Sequence, residues 1–349
     1  MDRLDVCLVL DSQSKGWILE KFALRLQENL AEFGIPAVIR SEPSPEAAIN
    51  HWMIYHTCTG AKSGQGTFFI THVDSIYRVQ MVQKALQTAD MGICMSRNTV
   101  EDLVKWGVPR EKLCYISPAI DGLLEPRRVV IGLTTNLYDD GRKREDLLVY
   151  LSEHMNLGYF TFRIMGKGWE KMIPILEGAG ARVEYFPGTE DFQNDYQQIL
   201  NEISHFDYYL YMGLDEGSMG FLDALAAGVP TIVTPQGFHL DIPNGITHAF
   251  WDREELLAIF EKLSREVAER RESVAGLTWR EYARKHALVW KMLLEGQGGI
   301  QITQALVNQQ FTGTELSRSP WKAFGSKVYF FLKPFHRLGL RLRKGLTGK

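Results

Sequence analysis

The chain has 349 residues, 45% hydrophobic and 23% charged, which is enough to bury two α/β cores of ordinary soluble composition. Its formal net charge of −3 conceals an asymmetry, because residues 318–349 carry nine of the 39 Lys and Arg and no acid, leaving 30 basic against 42 acidic residues elsewhere. An acidic body with a basic end speaks against a body that binds nucleic acid and for one anionic partner met by the end alone, with phospholipid the leading candidate.

Apolar runs of strand character alternate with helical periodicity almost throughout, the pattern of parallel sheets covered on both faces by helices. The start MDRLDVCLVL leads straight into a strand and lacks the apolar stretch of a signal peptide. The first half predicts strands at 5–10, 37–40, 52–56, 67–71, 91–95 and 112–116, with helices near 16–33, 77–88 and 99–106. Cys7, Cys58, Cys94 and Cys114 lie far apart without CxxC spacing, so buried free thiols in a reducing compartment are expected, and no metal. Within FFITHVDSIY, His72 and Asp74 stand at the end of an apolar strand. A lone histidine there is usually structural, yet an imidazole can also meet sugar hydroxyls or a departing phosphate.

Residues 117–126, with two prolines and the sequence PAIDG, read as a linker. A second cycle then predicts strands at 129–133, 161–165, 182–186, 207–211 and 231–234, with helices near 144–154, 194–204 and 219–227 and long helical segments from 253 to 294. Two similar α/β domains in tandem follow, with the cleft between them as the expected ligand site. The bounds are 1–120 and 127–278, then a helix at 279–295 returning to the first domain and a basic tail at 296–349.

The most informative stretch is YLYMGLDEGSMGFLDALAAGVPTIVTP, residues 209–235. A strand ends near Met212, a loop carries Asp215, Glu216 and Gly217, and Ser218, Met219 and Gly220 open a helix that bears Asp223 within two turns. Free N–H groups and the positive helix end bind phosphate, whereas nearby carboxylates suit sugar hydroxyls. Acids gathered at a helix start for dipole reasons alone are the simpler alternative. In VIGLTTNLYDDGRKREDLL, residues 130–148, the cations Arg142, Lys143 and Arg144 open a helix, which is ordinarily just a charged surface. RIMGKGWE, residues 163–170, offers Gly166 and Gly168 for close backbone approach, and Pro187 and Gly188 follow the next strand.

With these motifs in this order, the chain resembles the retaining GT-B glycosyltransferases of the family 4 type. Those enzymes carry an acidic pair spaced Glu-x7-Glu within EGxxxxxxEAxAxGxPVI, and LDALAAGVPTIVTPQGF matches its second part. The resemblance implies two Rossmann-like domains facing across a cleft, the first on the acceptor side and the second holding the nucleotide sugar. Asp223 would hold ribose hydroxyls, and Asp215 or the adjacent Glu216 the donor hexose. Lys143 matches the lysine that grips the pyrophosphate, a clamp needed because departing nucleoside diphosphate carries negative charge. Asn136 stands where the arginine is expected, so one clamp charge is missing unless Arg142 or Arg144 replaces it. Gly166 would lie near the base. The segment 91–121, with Ser96, Gly107, Val108, Lys112, Pro118 and Asp121, fits the family's fold template, and DSQSKG at 11–16 is similar to the loop that faces donor phosphate and acceptor.

The implied activity is transfer of a hexosyl or deoxyhexosyl group from a nucleoside-diphosphate sugar to a lipid-linked or polysaccharide acceptor, with retention and no obligatory metal or cofactor. Two Asp in place of two Glu and the missing arginine keep open a catalytically degenerate sugar-binding or scaffolding domain. An epimerase of the same fold is a further alternative. Finally, Trp321, Phe324, Val328, Phe331, Phe335, Leu338 and Leu342 recur every three or four residues among basic positions, the pattern of a helix lying in a lipid interface, divided by Pro334. The expected location is cytoplasmic, at the inner face of the membrane.

Overall fold

The computed structural model describes residues 4–60, 64–122, 124–189 and 191–308. Of the expected tail at 296–349, everything beyond 308 lies outside the described residues. The chain divides into two compact units, one formed by residues up to Gly122 with those from Ser273 onward, the other by Leu123–Glu272.

Six parallel strands form the first unit's sheet: β1 (Val6–Val9), β2 (Ala37–Arg40), β3 (Ile49–Trp52), β4 (Gln65–Ile70), β5 (Met91–Cys94) and β6 (Leu113–Tyr115), in the order β2-β1-β3-β4-β5-β6. Apart from the half-exposed edge strand β2, the strands are buried on both faces because both are covered, and successive residues serve opposite cores. Val6 and Leu8 join the cluster built on α1 (Ile18–Ala31), whereas Cys7 and Val9 join the one built on α2 (Ile76–Ala85) and α3 (Arg97–Lys105). Serines start the last two helices: Ser75 and Ser96 accept from the amides of Arg78 and Thr99. The strand expected at 52–56 is displaced, since pairing occupies Ile49–Trp52 and Tyr55–Thr57 form a 3-10 turn. All four cysteines are free thiols, and burial pushes each one's pKa upward.

The second sheet is also parallel: β7 (Val129–Leu133), β8 (Phe160–Met165), β9 (Arg182–Phe186), β10 (Tyr208–Tyr211), β11 (Thr231–Val233) and β12 (His248–Ala249), ordered β12-β11-β10-β7-β8-β9. Leu147, Leu148 and Leu151 of α4 (Asp146–His154), Leu176 of α5 (Ile173–Gly178) and Phe260 of α8 (Arg253–Ala275) pack on one face. Ile203 of α6 (Phe192–Ile203) and Phe221 of α7 (Met219–Ala226) pack on the other. The expected pair of Rossmann-like α/β units is therefore present.

Helix α9 (Trp279–Leu294) belongs to the first unit. Its Trp279 ring meets Phe22 of α1 edge-on at 5.1 Å, and its indole donates to Asp121 at 2.8 Å. Full burial of an aromatic such as Trp290 stabilises by about 2–3 kcal/mol, so this helix is part of the first core. Helix α10 (Gly299–Val307) follows, with Ile302 and Leu306 buried in the same cluster. The expected tail boundary at 296 is thus corrected: residues 299–307 are folded into the first unit, because their apolar face has a core to enter.

Candidate functional site

The order of the second sheet runs outward in both directions from β7 and β10, so the connections leave these two strands toward opposite faces. Such a switch point opens a crevice at the carboxyl ends of the strands, where ligands of open α/β sheets bind. Strand alternation sends Leu210 and Met212 to one core and Tyr209 and Tyr211 to the other, beneath α7. Tyr209 Oη lies 2.7 Å from Ser218 Oγ and accepts from Thr134 Oγ1 at 3.3 Å, tying the residue after β7 to the start of α7. Burial pushes the Tyr209 phenol up to about 12, so it works as a neutral hydroxyl. Gly220 is required by this closeness, since a Cβ there would collide with Thr134 Oγ1 and lie 2.8 Å from Tyr209 Oη.

Lys143 and Asp215, 72 residues apart, meet at the same edge. Lys143, only 9% exposed, donates from Nζ to Asp215 Oδ2 at 2.8 Å and to Tyr211 Oη at 2.7 Å. Asp215 Oδ1 accepts from Tyr211 Oη at 2.5 Å and from the Gly217 amide at 3.1 Å. Burial alone would raise the Asp215 pKa, but hydrogen bonds from Lys143, Tyr211 and Gly217 outweigh it and hold the carboxyl below its usual range. Burial, then the bond to Asp215, drives the Tyr211 phenol far upward. The result is a buried cation whose charge is balanced by one carboxylate. Glu216 beside it is exposed, and its side chain makes no hydrogen bond among the described residues.

Ser218 N–H donates to His239 Nε2 at 3.0 Å, whereas the amides of Met219 and Gly220 have no acceptor among the described residues. Asp223 Oδ1 accepts from Tyr196 Oη of α6 at 3.2 Å, and nearness to that carboxylate raises the phenol's pKa. Beside these groups is a cleft of about 520 Å³ lined by Thr134, Asn136, Gly166, Pro187, Gly188 and Tyr196 among others. Asn136 Oδ1 accepts the Lys167 amide at 2.8 Å, and the Gly166 amide donates to the Phe186 carbonyl, so these residues shape the wall.

The arrangement gathers Asn136, Lys143, Gly166, Asp215, Glu216, Ser218, Met219, Gly220 and Asp223 at the carboxyl edge of one sheet. Arg142 is paired with Asp140 at 3.3 Å and rests on the Tyr138 ring; its carbonyl accepts the Leu214 amide at 2.9 Å, and its charge works to lower the Tyr211 pKa. Arg144 reaches the Trp251 carbonyl at 2.8 Å and Thr234 Oγ1 at 3.4 Å. His72 belongs to the first unit, exposed and bonded through Nε2 to Arg78, which also pairs with Asp74 at 3.2 Å. Among the described residues no group of three or more His, Cys, Asp or Glu is disposed to hold a metal ion.

Four contributors escape a motif reading: Thr134, Tyr196, Tyr211 and His239. The period-two alternation of Tyr209 and Tyr211 was the available signal for the tyrosine, because it sends both hydroxyls to one face. Nothing in the local sequence marks His239, whose partner Ser218 lies 21 residues earlier.

No family model matches the sequence, and no curated protein matches it. Among solved structures, the chain is similar to Anabaena HepE in complex with UDP and glucose, at 11% identity over 88% of this chain and 99% of that one, with a TM-score of 0.29. It is similar to the lipopolysaccharide outer core galactosyltransferase WaaB in its apo form, at 11% identity over 80% of this chain and 97% of that one, with a TM-score of 0.33. The catalytic domain of the cholesterol-α-glucosyltransferase from Helicobacter pylori is similar at 15% identity over 46% of this chain and 96% of that one, with a TM-score of 0.32.

Proposed function

We propose that the chain is a glycosyltransferase that moves a sugar from a nucleoside-diphosphate donor to a lipid-linked or polysaccharide acceptor, with retention, at an anionic membrane surface. The observation that carries the reading is the switch-point edge of the second sheet. There a buried lysine, two amides without acceptors, two carboxylates and a cleft large enough for a nucleoside lie together. The diphosphate is taken by Lys143 and the amides of Met219 and Gly220, since both carry positive potential toward one point. Asp223 accepts ribose hydroxyls through the oxygen that Tyr196 leaves open, and the base enters the cleft beside Gly166. Glu216 is the better candidate for the donor hexose, because both Asp215 oxygens are already engaged.

In the reaction, the bond from the sugar's anomeric carbon to the phosphate oxygen breaks and its electron pair stays on the diphosphate. The acceptor hydroxyl bonds to that carbon on the same face and passes its proton to the departing phosphate oxygen. Lys143 offsets the charge that develops there. Calorimetry with UDP, GDP, ADP and dTDP tests the donor half, together with release of free sugar from the corresponding nucleotide sugars. Binding of one diphosphate, weakened tenfold or more by Lys143→Ala, is expected. No binding of any, or equal binding by the variant, overturns the reading.

A further inference from the structure

We infer that His239 is a positioning residue of this site, holding the loop of Asp215 and Glu216 and the entry to α7 through a ring nitrogen that is free only while the imidazole is neutral. The ring is fully buried, tilted against Phe221 at 4.2 Å between centroids and edge-on to Tyr211 at 5.5 Å. Its two partners fix its tautomer. The Thr234 carbonyl, 3.3 Å from Nδ1, can only accept, so Nδ1 carries the hydrogen; the Ser218 amide, 3.0 Å from Nε2, can only donate, so Nε2 is bare.

The two loops interlock around this contact. The Phe238 backbone amide donates to the Glu216 carbonyl at 3.1 Å, and the Gln236 side-chain amide donates from Nε2 to the Gly213 carbonyl. Gly217, at φ +119°, passes so close that a Cβ would lie 2.8 Å from Phe238 and 2.9 Å from the His239 ring. The loop therefore cannot shift away without losing His239. A proton on Nε2 would set two donors against each other and push Ser218 out, moving the neighbouring amides of Met219 and Gly220 and the carboxylate of Glu216 together.

The groups facing the ring are Asp215, the Tyr211 phenol and, through both, Lys143. Burial lowers the His239 pKa, while the Thr234 carbonyl and the Asp215 charge work to raise it. The balance keeps the ring neutral at pH 7 and puts its protonation below the ordinary histidine range. The site would then be assembled at neutral pH and loosened in acid.

The loop contact stands without the donor reading, and its consequence for binding rests on it. In 15N-serine-labelled full-length protein, the Ser218 amide resonance should move between pH 7.5 and 5 with a midpoint below 6.5. In His239→Gln, whose amide oxygen can take the same N–H but does not titrate, it should stay in place. A wild-type resonance that is flat over this range in folded protein, or an identical transition in His239→Gln, overturns the inference. In parallel, the affinity for UDP, GDP, ADP and dTDP is measured at pH 7.5 and 5.5. Protonation of the nucleotide's own phosphate, near pH 6, affects both proteins equally. Wild type should lose on the order of tenfold more affinity than His239→Gln, the worth of one buried hydrogen bond. Equal losses overturn the positioning role; no binding of any nucleotide sinks the donor reading and leaves the amide titration to decide His239.

Discussion

Asp215 and Glu216 are neighbours with different occupations. Asp215 has a side chain 26% exposed and balances Lys143, at 10%, so removing its charge leaves a mostly buried cation with only a phenol for company. Asp215→Asn is therefore expected to destabilise the second unit by about 2–3 kcal/mol, somewhat less than rupture of a fully buried pair. Glu216→Gln should leave the denaturation midpoint where it is and cut sugar transfer at least tenfold, since the carboxylate would act only on the donor. The two denaturation curves and donor-hydrolysis rates check both expectations, and the assignment is reversed if the stability loss appears in Glu216→Gln instead. Sequence reasoning reached both residues through the LDALAAGVP context but left their roles open. The reason is physical: the choice depends on where Lys143 and Tyr211 point, and Lys143 is 72 positions away, beyond any local period.

At the scale of elements, strands β2, β7 and β9 were legible to the residue: β7 is a continuous apolar run, and the edge strands β2 and β9 are short β-branched or aromatic segments set between turn residues. Strand β3 was not, since Asn50 and His51 interrupt it with polar groups that are satisfied internally. Asn50 bonds the Ser44 backbone, and His51 Nδ1 meets Thr67 Oγ1 at 2.9 Å. Helix α10 was hidden by Gly298 and Gly299 at its start, where a side chain on Gly299 would strike the Leu113 carbonyl. The polar interruption in β3 has a consequence. His51 faces His286 of α9 at 5.5 Å between ring centroids, both fully buried, and His286 Nε2 has no partner among the described residues. Burial lowers both pKa values, that of His286 to about 4, and the charge of His286 lowers that of His51 further. Unfolded histidines titrate near 6.5, so the unfolded chain binds more protons below that pH. Stability of the first unit should be full above about pH 6.5 and fall as pH drops toward 4, by on the order of 3 kcal/mol from His286 alone. Urea midpoints at pH 7.5 and 5 read this slope, and His286→Phe should flatten it. An unchanged slope in that variant would assign acid lability to other groups.

The whole molecule pairs an acidic body with a basic amphipathic end, and that division of charge bears on where it works. Residues 1–317 hold 12 more acids than bases, while 318–349 hold nine bases and no acid. Among the described residues no helix is long and apolar enough to cross a membrane. We propose that 318–349, which lie outside the described residues, attach the chain to a lipid surface by charge and burial together. Each Lys or Arg near an anionic surface contributes about 1 kcal/mol, so several of them exceed the repulsion from the acidic body, whose charges are spread over a larger surface. The stripe from Trp321 to Leu342 adds apolar contact at the acyl boundary, which salt does not screen. Sedimentation with vesicles rich in anionic lipid should accordingly be weakened by 0.5 M salt without being abolished. The last helix among the described residues ends at Val307, and the switch-point residues lie between 134 and 239, so a chain ending at Leu316 should keep its fold and its nucleotide affinity. It should lose vesicle binding and most transfer to a membrane-embedded acceptor while retaining transfer to a water-soluble analogue. Full-length protein that ignores anionic vesicles, or a truncated chain that unfolds, would mean that the basic end completes the folded body, and the membrane would then have no part in bringing acceptor to the site.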